Sequence, residues 1–280
     1  MIVDCHTHVA PQLTGFWRPL RRGKVEDEGR VRQAMPPSFD PPASPPEVLL
    51  GYMDQAGVDR AFIVQHHLYG DHNPAVLEAI KSWPDRFVGF AYLGGLGWPD
   101  APDQLARLVE GGMAGLKVEL GTTRRLCPGF RFDGERERPL VLDVNEASSD
   151  DVAALRRLVD EFQRIRFVIC HVGWPARDGW QERALLAKHP RGWVDLASLP
   201  GIYGPEQEYP FPRSQELVRW AVETFGAERV MWGTDYPGTL NDATYRQHVD
   251  FIRRHCAFLT PEQKLQVLGG AADSLLRDVG

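Results

Sequence analysis

Eight short apolar runs, separated by stretches with helical spacing, constrain the fold of this chain more than any other feature. They are Ile2–His6, Arg60–Gln65, Phe87–Leu93, Gly115–Leu120, Pro139–Val144, Phe167–His171, Gly192–Leu196 and Arg229–Asp235. Most are nearly continuous instead of alternating, which suits parallel strands covered by helices. Between them, Pro46–Ala56, Asn73–Trp83, Pro102–Gly111, Ser149–Arg164, Gln181–His189 and Arg213–Phe225 have helical periodicity; Asn241–His255 and Pro261–Arg277 follow the last run. In Ser149–Arg164, Val152, Leu155, Leu158, Val159 and Phe162 form one apolar face. Ser148 and Ser149 offer a cap there, and Asp150 and Asp151 suit the positive end of the helix.

Eight such units in 280 residues predict a (β/α)8 TIM barrel of the α/β class. A doubly wound open sheet is the alternative, but no glycine-rich phosphate turn follows the first run. Met35–Pro46 holds six prolines and is the nearest thing to a linker. It lies inside the first strand-to-helix connection, so Ala10–Pro46 is expected to be a long lid over the barrel mouth. Residues 1–280 are therefore read as a single domain. Gly121–Arg138 has no clear helix and is rich in arginine and glycine.

Composition narrows the partners. With 43% hydrophobic and 25% charged residues, wholesale disorder is excluded. Lys+Arg number 32 against 38 Asp+Glu, a net charge of −6 that argues against a nucleic-acid surface. No apolar run approaches the ~18 residues that span a bilayer. The opening Met-Ile-Val-Asp-Cys-His lacks a cationic leader, so no secretory signal is expected. Of four cysteines, Cys5 and Cys170 sit inside apolar runs, as buried thiols in a reducing cytosol would. The expectation is a soluble cytoplasmic protein with a small-molecule substrate, without nucleic-acid or membrane partners; a homo-oligomer is compatible with it.

Barrel active sites form where strands end at their C-terminal side, so the polar residues that end the apolar runs matter most. The first run closes with Asp4-Cys5-His6-Thr7-His8; residues two apart on a strand share a face, so His6 and His8 can both look into the mouth. The sixth run ends on His171 and the eighth on Asp235. Three imidazoles and a carboxylate converging on one rim would suit a divalent metal. Each piece also has a plainer reading: a lone histidine is commonly a satisfied polar residue, and a strand-end aspartate commonly caps a turn. The joint pattern favours function.

These residues resemble the amidohydrolase superfamily, and within it the amidohydrolase-2 branch of metal-dependent hydrolases. The resemblance rests on Asp4-Cys5-His6-Thr7-His8, Ile169-Cys170-His171-Val172-Gly173 and Trp232-Gly233-Thr234-Asp235-Tyr236-Pro237, in order from start to end of the chain. It implies that His6, His8 and Asp235 hold one divalent metal, zinc or manganese, with His171 nearby. The family's fifth strand often ends in another histidine ligand; here Asp143 stands in its place, free to ligate, to cap the next segment or to bind substrate. That departure, with Gln65-His66-His67-Leu68-Tyr69-Gly70-Asp71-His72-Asn73 after the second run, is similar to the sugar-lactone and pyrone-dicarboxylate lactonase group, some members of which work without metal. The implied activity is hydrolysis of a lactone or related cyclic ester. The alternative is a metal-dependent decarboxylase of an aromatic or unsaturated acid.

Ester hydrolysis needs a nucleophilic water, a base and a group for the developing oxyanion. Asp235 is the candidate base and His171 the candidate electrophile or proton shuttle, since imidazole titrates near neutrality. Lys117 shares a strand face with Glu119 and could anchor an anionic group, or the two could form an internal ion pair. His67 and Tyr69 are candidate substrate contacts or plain surface residues. Arg124, with Arg125 and Arg131, could hold a carboxylate, or form a solvated basic loop. Trp174 could wall a sugar ring or pack on the following helix.

Overall fold

In the computed structural model, which describes residues 1–93, 101–120 and 138–277, all eight apolar runs are parallel strands of one sheet. They are β1 (Val3–Thr7), β2 (Arg60–Ile63), β3 (Phe87–Tyr92), β4 (Gly115–Glu119), β5 (Leu140–Asp143), β6 (Phe167–Ile169), β7 (Gly192–Asp195) and β8 (Val230–Met231). Each pairs with the next in chain order. The circle is closed by backbone bonds from Cys5 N to Trp232 O (3.1 Å), Asp235 N to His6 O (2.8 Å) and His8 N to Tyr236 O (2.8 Å). The chain is therefore a (β/α)8 barrel, as the repeat of strand and helix predicts. Strand β8 is shorter than its apolar run because the residues after Met231 bond irregularly to β1 and Asp235 turns at φ +69°.

The continuous apolar runs are explained by burial on both faces. Phe62, Val64, Val88, Phe90, Val141, Val168, Cys170, Trp193 and Met231 fill the barrel with Val3 and Cys5. Their neighbours Ala61, Ile63, Phe87, Ala91, Leu116, Val118, Leu140, Leu142, Phe167 and Ile169 belong to the outer layer. That layer is covered by α1 (Pro46–Ala56), α2 (Asn73–Ser82), α3 (Ala101–Glu110), α4 (Ser149–Glu161), α5 (Trp180–Ala184) and α6 (Pro212–Phe225). Three short helices follow: α7 (Tyr245–Asp250), α8 (Pro261–Leu265) and α9 (Ala271–Leu276), whose Ala271, Ala272 and Leu275 join the barrel-filling cluster. The cap of α4 is Ser148: its hydroxyl accepts from Asp151 N, while Ser148 N donates to the Asp151 carboxylate.

This alternation fixes what faces the mouth. Because Leu116 and Val118 point outward, Lys117 and Glu119 point inward; the same parity turns Asp143 and Asp195 inward. On β1 the pairing register shifts between Asp4 and Thr7, an irregularity that lets His6 and His8 both face inward above Cys5.

The expected lid is a folded appendage. Arg18–Pro19, Lys24–Asp27 and Arg30–Gln33 make a three-stranded antiparallel sheet. Its ends meet where Ala10 and Ser44 exchange backbone bonds. Its base is bonded to the loop after β2, through Phe16 N to His67 O and Trp17 N to Leu68 O. Among the described residues no helix is long and apolar enough to cross a membrane.

Candidate active site

The turns that leave β6, β7 and β8 are made by residues with left-handed backbone: His171 (φ +55°), Val172 (+51°), Ser198 (+62°) and Asp235 (+69°). Such conformations cost on the order of 1–3 kcal/mol for a non-glycine residue and gather at functional sites. Here they bring Asp235 to His8 and His6, His171 beside His6, and the Ser198 hydroxyl onto Asp235.

His6, His8 and His171 are nearly sealed, their side chains 1%, 5% and 4% exposed, whereas Asp235 is 23% exposed. The aspartate is thus the member of the group that meets solvent. Its Oδ1 lies 2.9 Å from His8 Nε2 and 3.8 Å from His6 Nε2, and its Oδ2 accepts the Ser198 hydroxyl. The His6 and His171 rings are 4.7 Å apart. Asp195 binds both: Oδ2 is 2.9 Å from His6 Nδ1, and Oδ1 accepts His171 N at 2.7 Å and Ala197 N at 3.1 Å.

Burial alone would raise the Asp235 pKa, but the bond from His8 and the charges of His171, His8 and His6 hold it well below the ordinary carboxylate value. Asp195 is also lowered, burial again opposing and His6 prevailing. His6 is pushed down to about 4 by burial and by Lys117, against the pull of Asp195.

The histidines are set up as lone-pair donors. His8 Nδ1 is 3.0 Å from Val64 O and His171 Nδ1 is 3.1 Å from Ala197 O. A carbonyl only accepts, so both protons sit on Nδ1 and both Nε2 atoms carry electron pairs when the rings are neutral. A bare Nε2 and a carboxylate 2.9 Å apart repel unless a cation, either a proton or a metal ion, lies with them. The donor set therefore fits a divalent metal: ligand atoms of His6, His8 and Asp235 lie within 4.8 Å of one another, and so do those of His6, Cys170 and His171.

A second polar cluster adjoins the first, the His8 and His66 rings being 6.2 Å apart. Glu119 receives His67 N (3.0 Å), His67 Nδ1 (3.1 Å) and Tyr92 OH (2.9 Å), and lies 3.1 Å from His66 Nε2. Its pKa falls to about 2 because the charge of His66 and the bond and charge of His67 outweigh burial. His66, His67 and Glu119 also have metal-ligand spacing. Of the two readings open for Lys117, an anchor for an anionic group or an ion pair with Glu119, the pair is not formed. The sealed ammonium donates to Cys170 Sγ (3.3 Å) and stands 3.8 Å from Asp143 Oδ2. Asp143, itself 3.5 Å from His66 Nε2, is thereby held strongly ionised despite burial.

Of the remaining residues singled out in the sequence, Tyr69 stacks on His8 at 4.8 Å and touches Trp17 edge-on. His67 lies against Phe16, and Trp174 stands edge-on to His171 at 5.3 Å. Arg124, Arg125 and Arg131 lie outside the described residues. Sequence reasoning passed over Asp195, which lies inside the run Gly192–Leu196, one residue before its end. It also passed over His66 and Ser198, whose partners are set by loop geometry.

Comparison with known proteins gives the family and the fold. The family model described as amidohydrolase matches residues 3–277. An L-fucono-1,5-lactonase of Burkholderia ambifaria is 30% identical over 131 residues, an alignment that takes in 42% of this chain and 44% of that relative, so the chain matches less than half of its length. Among solved structures, a probable 2-pyrone-4,6-dicarboxylic acid hydrolase from Acinetobacter baumannii, with citric acid bound, superposes with a TM-score of 0.72 at 18% identity, covering 98% of each chain. An amidohydrolase from Burkholderia multivorans with bound zinc superposes at 0.69 with 15% identity, covering 99% of each. At such identities the two structures establish the fold.

Proposed function

This chain belongs to the amidohydrolase family, and from that premise we propose that it hydrolyses a lactone or related cyclic ester of a small molecule. The observation that carries the reading is Asp235: an ionised carboxylate, open to solvent at the mouth, with one oxygen on His8 and the other on Ser198. One similar protein is named an L-fucono-1,5-lactonase and another a probable 2-pyrone-4,6-dicarboxylic acid hydrolase, and these names support the choice of ester.

In this reading Asp235 takes a proton from the attacking water at a carboxylate oxygen. Asp235 passes that proton to Nε2 of His171, whose own Nδ1 proton stays fixed on Ala197 O, and His171 delivers it to the alkoxide released on ring opening, which returns both groups to their starting state. A neutral His171 presents an acceptor at Nε2, so the geometry favours the proton shuttle over the electrophile. Tyr69, His67 and Trp174 border the cluster and are the proposed substrate contacts, with Arg124 as a proposed anchor; Lys117 and Asp143 act from beneath, keeping the floor charged and ordered. A carboxylate held so far below its ordinary pKa is a weak base toward free water. A divalent metal, zinc or manganese, held by His6, His8 and Asp235 with His171 beside them, would supply a water with a pKa near 7.

The decarboxylase alternative draws less support, since Asp143 at the end of β5 is taken up by Lys117 and His66. We also propose one domain over 1–280 and a cytoplasmic location, which three free, buried cysteines (Cys5, Cys170, Cys256) among the described residues suit.

The test is a panel of sugar lactones and carboxylated pyrones, assayed for acid release with the wild-type protein and Asp235→Asn. Turnover of a lactone that falls by about 10²–10⁴-fold in a folded variant is the expected result. Carbon dioxide release without ring opening, or full activity in Asp235→Asn, would overturn it.

A further inference from the structure

We infer that Asp195 is the positioning residue that decides which nitrogen of His6 carries the proton, and so whether His6 offers the site an electron pair or a hydrogen. The inference rests on the proposed roles of His6 and Asp235, but its geometry is independent of the substrate. Asp195 ends β7, is fully buried, and its two oxygens have different duties. Oδ1 is pinned by two backbone donors, His171 N and Ala197 N. Backbone N–H groups only donate, so an acceptor must stand there. Oδ2 is left for His6 Nδ1, 2.9 Å away. A carboxylate there accepts, which places the His6 proton on Nδ1 and leaves Nε2 bare, 3.8 Å from Asp235 Oδ1.

The same carboxylate holds the main chain of His171, so one buried group on β7 sets a ring from β1 and the turn after β6. Carboxylates that bind the far nitrogen of a ligating histidine fix its tautomer and raise its basicity.

The arrangement makes an unusual demand of the nearly isosteric variant Asp195→Asn. Its single carbonyl oxygen must stay with His171 N and Ala197 N, because an amide NH2 facing two N–H groups would clash electrostatically. The NH2 then takes the Oδ2 position and donates to His6 Nδ1. The ring proton is forced to Nε2, where it points a hydrogen into the site instead of an electron pair. A similar exchange beside a catalytic histidine is known to leave geometry intact while reversing the tautomer.

The experiment uses protein labelled with ¹⁵N-histidine, as purified, with His6 assigned by its loss in His6→Gln. Long-range ¹⁵N–¹H correlation reads the tautomer, and chelator competition reads the affinity for zinc alone. The expected result is an Nδ1–H ring for His6 in the wild type and an Nε2–H ring in Asp195→Asn, with zinc affinity 10–100-fold weaker. A wild-type His6 protonated on Nε2 overturns the inference whether or not the variant folds. So does a folded Asp195→Asn that keeps Nδ1–H. If the tautomer reverses but the wild type opens no lactone, the proposed activity falls and the role of Asp195 stands.

Discussion

Ser198 gives its hydroxyl hydrogen to Oδ2 of Asp235, the oxygen that His8 leaves open. The two residues come from neighbouring strand ends, and both reach each other through left-handed backbone. A hydrogen bond to a charged group is worth about 1.5–3 kcal/mol. Ser198→Ala frees the carboxylate to rotate away from the position in which it meets water. The expected outcome is a kcat lowered roughly 10- to 100-fold with KM little changed, since the bond orients the base and not the substrate. Steady-state kinetics on a lactone found in the panel would decide; a variant losing only KM would place Ser198 in substrate binding instead.

Lys117 and Asp143 make a second checkable pair. Their side chains are 0% and 7% exposed, and the ammonium is 3.8 Å from the carboxylate. Removing one partner of a buried pair leaves an uncompensated charge and costs about 3–5 kcal/mol. Lys117→Met should lose that much in urea unfolding, and Lys117→Met combined with Asp143→Leu should recover most of it. If the single variant loses under about 1 kcal/mol, the ammonium is not what balances Asp143.

How far these sites could be read in advance follows from where the signal lies. His6, His8, His171 and Asp235 were legible because each ends an apolar run, and the fold puts all such ends on one rim. Asp195 lies inside its run, with Leu196 after it, and its meaning depends on the His6 ring 2.9 Å away, which no spacing along the chain reveals. The sheet at Arg18–Gln33 was missed for a different reason. Arg30–Gln33 is wholly exposed, so it has no apolar period, and the pairing is set by the turn at Glu28 and Gly29, both with positive φ. The helical patterns Asn241–His255 and Pro261–Arg277 do form helix, from Tyr245 and from Pro261, each with a wider π turn, at Phe251–His255 and at Gln266–Gly270.

Metal binding can be assigned to one cluster by thermal unfolding. Zinc that binds only the folded chain adds about 2.7 kcal/mol of stability at a hundred times its dissociation constant. The stabilisation should be lost on chelation and absent in His8→Ala and Asp235→Ala, while His67→Ala retains it. The reverse pattern would move the ion to His66, His67 and Glu119.

The last prediction concerns pH and lies away from the mouth. His248 is fully buried, with Nε2 3.1 Å from Thr239 O. Burial lowers its pKa from 6.5 to about 4, against the opposing pull of Thr239 and Asp235. In the folded chain it therefore stays neutral at a pH where the unfolded chain has taken up a proton. The stability this represents is present above pH 6.5 and is lost as pH falls toward 4, a loss of about 3 kcal/mol. Other groups titrate in the same window, including Asp4, which burial raises to about 6, so the comparison must be with His248→Gln, which keeps a side-chain donor and cannot titrate. Between pH 7 and 4 the wild type should lose about 3 kcal/mol more than the variant in urea unfolding. Parallel curves for the two proteins would mean that His248 is already protonated, or reached by water, in the folded state.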